Sequence, residues 1–115
     1  MSWILLVEDD DNLREVLEAA FILSGFDVRT ARHGREALAL LDEGDLPQLV
    51  ITDLRMPVMD GVKLISLLRE MARTRHLPII VVSAEEVHLP GLQAHFKKPF
   101  EFEHLRLAAE QYVSV

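Results

Sequence analysis

Four short apolar runs of this chain end in residues that can do chemistry together. Trp3–Val7 stops at Glu8-Asp9-Asp10, Leu49–Thr52 at Asp53, Pro78–Val82 at Ser83, and Ala94–Phe96 is followed by Lys98. Acids, a hydroxyl and an ammonium suit the handling of a phosphoryl group. Several carboxylates in one cleft repel one another, and a divalent cation relieves that repulsion. Magnesium fits such a set because it binds few carboxylates, keeps water and takes phosphate oxygens. It would also screen an incoming phosphoryl group from the acids and stabilise charge during transfer. A carboxylate is a competent nucleophile for that transfer and gives an aspartyl phosphate. Ser83 can then hydrogen-bond one phosphoryl oxygen, and Lys98 can pair with another. Other chemistries lack their parts. There is no cysteine for thiolate or disulfide chemistry. No two of the five histidines stand at a zinc-type spacing such as H-x3-H. No dinucleotide fingerprint or phosphate-cradling glycine loop is present.

These residues meet only if every strand ends at the same edge of one sheet. Trp3–Val7 is a continuous apolar run, as in a strand covered on both faces. A helix over about Asp11–Ser24 places Leu13, Val16, Leu17, Ala20 and Phe21 on one face, with Asp10 as its N-cap and Gly25 as its stop. Phe26–Thr30 alternates in and out, as an edge strand does. A second helix over Gly34–Glu43 turns Ala37, Leu38 and Leu41 inward, and Gly44 closes it. Leu49–Thr52 is the third strand, and Gly61–Arg73 is a helix burying Leu64, Ile65, Leu68, Met71 and Ala72. Pro78–Val82 and Ala94–Phe96 are the fourth and fifth strands. The last helix begins near Glu101 and aligns Phe102, Leu105, Ala108, Ala109 and Tyr112. Such alternation implies right-handed crossovers and a parallel sheet with helices on both sides. The most apolar strands belong in the middle, which gives the order 2-1-3-4-5 and a doubly wound, flavodoxin-like α/β fold. Ligands of that fold bind beyond the carboxyl ends of the strands, at the switch point between strands one and three.

Composition bounds the function class. At 115 residues, half of them hydrophobic, the chain is the size of one domain, taken as residues 1–115, with enough apolar side chains for a core. A net charge of −7 argues against direct binding to a nucleic-acid backbone. It fits a protein that binds a cation or a basic partner surface. Met1-Ser2-Trp3 runs straight into strand pattern without a charged leader, and no apolar run is long enough to span a bilayer. A cytoplasmic location without membrane contact is the expectation.

The ordered motifs also carry a resemblance. Val7-Glu8-Asp9-Asp10, Asp53 with Met56-Pro57-Val58-Met59-Asp60-Gly61 after it, Ser83-Ala84 and Lys98-Pro99-Phe100 are similar to the signature of bacterial response-regulator receiver domains, over essentially the whole chain. An acidic doublet alone is weak; four motifs in order at the right strand ends are specific. The resemblance implies Asp53 as the phosphoacceptor. It implies Asp9 as a direct magnesium ligand, Glu8 as one acting through water, and the Arg55 carbonyl as a backbone ligand. Ser83 matches the switch hydroxyl, Lys98 the phosphoryl-binding lysine, and Lys98-Pro99 a bond usually cis in the family. The implied phosphodonor is a histidine kinase or histidine phosphotransfer protein, and the implied output is an unidentified effector protein. Such a domain is not an enzyme in the turnover sense: its catalysis is confined to its own phosphorylation and dephosphorylation.

Bland readings apply to several neighbours. Asp10 and Asp11 read as helix-start residues, Asp60-Gly61 as a turn into a helix, and Lys97 as solvent-exposed. His33, His76, His88 and His104 read as surface residues rather than ligands.

Two departures stand out. Only fourteen residues separate Ser83 from Lys98, short of the family's usual helix and strand by about two helical turns. Pro90 and Gly91 break what remains, so the family's fourth helix is expected to be short or absent. The aromatic switch position on strand five holds His95. Readout is therefore expected through the loop Glu85–Leu92 or the final helix, where His104 and Leu107 face a less covered side. The competing reading is a pseudo-receiver, an interaction domain that keeps the fold without using phosphate. A magnesium-dependent phosphohydrolase would need a substrate pocket and a separate acid–base residue, and neither is visible.

Overall fold

The computed structural model describes residues 2–86 and 88–114. Strands β1 (Ile4–Val7), β2 (Val28–Ala31), β3 (Leu49–Thr52), β4 (Ile79–Ser83) and β5 (Ala94–Lys97) alternate with helices α1 (Asp11–Leu23), α2 (Gly34–Leu41) and α3 (Gly61–Glu70), and α4 (Phe102–Glu110) follows β5. The sheet is parallel, in the order β2-β1-β3-β4-β5. Among the described residues no helix stands between β4 and β5.

Alternation along each strand divides the core in two. Leu5, Val7, Val50, Ile79 and Val81 face α2 and α3, while Ile4, Leu6, Ile51, Ile80 and Val82 face α1 and α4. On the second side Phe21 packs edge-on against Phe26 at 5.4 Å and Phe102 at 4.8 Å, which joins α1 to α4. Residues of β1, β3 and β4 are buried throughout, whereas β2 and β5 are partly open. That contrast matches their central and edge places.

Local chemistry sets the helix ends. The side chains of Asp10 and Asp60 cap α1 and α3 by accepting from the N–H groups of Leu13 and Lys63, each at 2.8 Å. His33 departs from the surface reading: it is half-buried, and its Nδ1 accepts from Glu36 N as the cap of α2.

Three expected inward positions differ. Val16 is 63% exposed, because one residue is a rotation of about 100° and carries it off the face centred on Leu17. Met71 and Ala72 are exposed. The chain leaves α3 at Met71 with extended ψ, and Thr74 and Leu77 fill the buried places instead. Phe26 lies before β2 and is core filling against Phe21 rather than edge strand.

Candidate functional site

The strand register brings the singled-out residues to one edge. Val7 pairs with Thr52, and Ser83 pairs with Lys97, so Glu8, Asp53, Ser83 and Lys98 all emerge at the carboxyl end of the sheet. Asp53 is held by its backbone. Its N–H donates to Val7 O at 3.0 Å, and its carbonyl accepts from the buried Thr52 hydroxyl at 2.7 Å. Its side chain is held too: Oδ1 accepts from Leu54 N at 2.6 Å, and Oδ2 from Lys98 Nζ at 2.8 Å.

The same ammonium donates to Glu8 Oε1 at 2.8 Å, so Lys98 bridges two acids. Glu8 is fully buried, and its Oε2 accepts from Asp10 N at 3.1 Å. Burial raises the Glu8 pKa above the usual carboxylate range, against the lowering effect of Lys98. Burial pulls Lys98 down, but its hydrogen bonds to Asp53 and Glu8 outweigh that and hold it above the ordinary lysine value. Asp9 is exposed, yet one carboxylate oxygen from each of Glu8, Asp9 and Asp53 lies within 4.8 Å of the others. Three carboxylates faced by one ammonium leave negative charge for a dication, so the donor set fits magnesium in charge and in ligand type.

The other candidates take up distinct places. Ser83 is buried, its Oγ accepts from Glu85 N at 3.1 Å, and its carbonyl accepts from Lys98 N at 2.8 Å. The Lys98–Pro99 peptide is cis. Arg55 lines an open cleft of about 610 Å³ with Asp9, Asp60 and Glu85, and its guanidinium pairs with Glu85 at 2.6 Å. His95 sits beside Val81 on β5, with Nε2 buried and without a hydrogen-bond partner among the described residues. Lys97 is exposed.

Several supports were not singled out from sequence: the Glu8–Lys98 pair, Thr52, Glu85, and Arg14, whose Nη1 donates to Glu8 O at 3.0 Å. Only Thr52 carried a local signal, as a hydroxyl next to the acceptor. Gly61 is obligatory by contact: a Cβ there would stand 2.0 Å from Asp53 O.

A five-stranded parallel sheet in the order β2-β1-β3-β4-β5, with an acid–lysine cleft at its carboxyl edge, defines a doubly wound, flavodoxin-like α/β domain. The chain matches the model of the response regulator receiver domain over residues 4–110. It is 36% identical over 114 residues to the regulatory protein AtoC of Escherichia coli, covering 94% of this chain and 24% of AtoC. It is 38% identical over 104 residues to the transcriptional regulatory protein PrrA of Mycobacterium tuberculosis, covering 84% of this chain and 43% of PrrA. The chain therefore spans less than half the length of either relative. The response regulator TrrA of Thermotoga maritima, solved with Mg(2+)-BeF, superposes with a TM-score of 0.84 at 27% identity, over 97% of this chain and 99% of that one. The protein belongs to the response-regulator receiver family of two-component signalling.

Proposed function

We propose that Asp53 accepts a phosphoryl group from a phosphohistidine donor, with Mg2+ bound beside it, and that the acyl phosphate switches a partner interaction. The observation that carries this reading is Lys98 Nζ at 2.8 Å from both Asp53 Oδ2 and Glu8 Oε1. Glu8, Asp9, Asp53 and the carbonyl of Arg55 would hold the ion, which supplies charge neutralisation for the incoming phosphoryl oxygens. An Asp53 oxygen attacks phosphorus, the P–N bond to the donor imidazole breaks, and its electron pair returns to the ring nitrogen. Lys98 then exchanges a carboxylate partner for a phosphoryl oxygen. The Ser83 hydroxyl accepts from Glu85 N and so keeps its proton to donate to a second phosphoryl oxygen. Attack of water on phosphorus breaks the P–O bond, releases inorganic phosphate and restores Asp53.

The donor is a histidine kinase or histidine phosphotransfer protein, and the receiver of the signal is an effector protein in the cytoplasm. The net charge of −7 supports a protein partner over direct contact with nucleic acid. Among the described residues no helix is long and apolar enough to cross a membrane. Among the described residues, the absence of a helix between β4 and β5 and of a hydrogen-bond partner for the buried His95 Nε2 favour the pseudo-receiver as second reading.

The two separate on loading with acetyl phosphate or phosphoramidate and magnesium, read by intact mass. The phosphoacceptor reading expects one hydroxylamine-labile phosphoryl group, absent in Asp53→Asn. An adduct that survives that substitution sinks it, and no adduct at all favours the pseudo-receiver.

A further inference from the structure

Ser83 leaves β4 at the site edge, and Ala94 enters β5 at the opposite edge. The connection between them runs the length of the sheet without a helix among its described residues. Its last part, Leu89–Gln93, is nonetheless tied down. Leu89 and Leu92 pack on the core next to α3. The carbonyl of Gly91, a residue at φ 79°, accepts from Arg69 Nη2 at 2.9 Å. Gln93 grips the amino end of β4 twice: its Oε1 accepts from Ile79 N at 2.6 Å, and its N–H donates to Ile79 O at 2.9 Å. Arg69 Nη1 also donates to Arg75 O at 2.9 Å and to Leu77 O at 2.7 Å. One guanidinium thus joins α3, the turn into β4 and the strap that stands where a helix would cover the sheet. The planar fork allows this; a lysine has no such fork.

We propose that Arg69 is a positioning residue, a latch that holds Leu89–Gln93 closed over the sheet, and that the signal set at Asp53 leaves the domain as opening of this strap. The trigger rests on the phosphoacceptor reading; the latch does not. Ser83 begins the connection, and its Oγ holds Glu85 N. A hydroxyl drawn to a phosphoryl oxygen shifts the start of the connection while Arg69 and Gln93 hold its end. A segment fastened by two leucines, one arginine and one glutamine opens at lower cost than the buried strands, so it is the part that yields.

Hydrogen exchange on the full chain tests this, with and without magnesium beryllofluoride, and with fluorine resonance reporting whether beryllofluoride binds. In the parent, beryllofluoride is expected to speed exchange at the two hydrogen-bonded amides where the strap grips β4, Gln93 and Ile79, by about tenfold, the worth of one charge-assisted hydrogen bond. In Arg69→Ala those amides exchange that fast already and respond no further, while β1 and β3 keep their protection. Arg69→Lys falls between, and Gln93→Ala serves if Arg69→Ala does not fold. Parent-like exchange in the variants would overturn the latch. So would a uniform rise through every strand, which marks Arg69 as a structural clamp only. Bound beryllofluoride with no response at the strap would overturn the trigger. Failure to bind it would refute the phosphoacceptor reading and with it the trigger, and the variants alone would then decide the latch.

Discussion

Glu8 and Lys98 place opposite demands on the acidic cleft. Glu8 is buried with its pKa raised, and the raised native value fixes the sign of its linkage. Its proton is held more tightly in the native state, so its favourable contribution is complete below the ordinary carboxylate pKa and is lost as pH rises through the raised value. Glu8→Gln, measured without magnesium, should therefore be more stable than the parent near neutrality, and the gap should close as pH falls below about 4.5. Urea titrations across that range check it, and a gap independent of pH would contradict the burial argument. Lys98 has a raised native pKa as well, so its contribution persists below the ordinary lysine pKa and is lost above it.

Gly61 makes a steric prediction. Gly61→Ala places a methyl 2.0 Å from Asp53 O and 2.8 Å from Leu54 Cα, both backbone atoms. It should cost about 1–3 kcal/mol and slow loading at Asp53 because the acceptor backbone must move. Chemical denaturation paired with loading rates separates the two effects. Val58 is the converse case. A β-branched residue at φ 66°, exposed beside Pro57, holds a left-handed backbone that costs about 1–2 kcal/mol. Val58→Asn should raise stability by about 1 kcal/mol, and an unchanged denaturation midpoint would show that the turn is not strained.

At the scale of elements, Arg73 ties the end of α2 to the turn that follows α3. Its Nη1 donates to Leu41 O at 2.6 Å and its Nη2 to Gly44 O at 2.7 Å. Arg73→Ala should cost about 1–3 kcal/mol and speed exchange in the last turn of α2. A loss confined to the turn after α3 would contradict the tie. By contrast, the Arg55–Glu85 pair is 81% and 55% exposed in its side chains and should be worth less than about 1 kcal/mol.

These ties show where sequence reading stops. Strand order was legible because β1, β3 and β4 are unbroken apolar runs, and the cap Asp10 was legible because capping is local; Asp60 was legible only as a turn into the helix it caps. The 14 residues between Ser83 and Lys98 announced a helix that is short or absent, and the structure has none there among its described residues. The positions of Arg69, Arg73 and the Glu8–Lys98 bridge were not legible. Each depends on partners brought close only by the fold, as with Lys98 and Glu8 at a separation of 90 residues. Helix ends were misjudged for a related reason: periodicity continues through Met71 and Ala72 although the backbone has already turned extended.

For the whole molecule, the same acids, costly together without a cation, become on the proposed reading a source of stability when magnesium is added. Magnesium bound only by the native state raises the melting temperature in proportion to RT ln(1 + [Mg]/Kd). Asp9→Ala should abolish that rise and also abolish loading, even if the variant is more stable in chelator. The exposed position of Asp9 in a cluster otherwise buried explains why its removal need not disturb the core.

The central claim is that this receiver uses its cleft for phosphoryl transfer to Asp53. The most direct test is intact-mass measurement of the parent and Asp53→Asn after incubation with phosphoramidate, with magnesium and with chelator. The account predicts one added phosphoryl group in the parent with magnesium only, and none in Asp53→Asn. Equal loading with magnesium and chelator, or loading of Asp53→Asn, would contradict it.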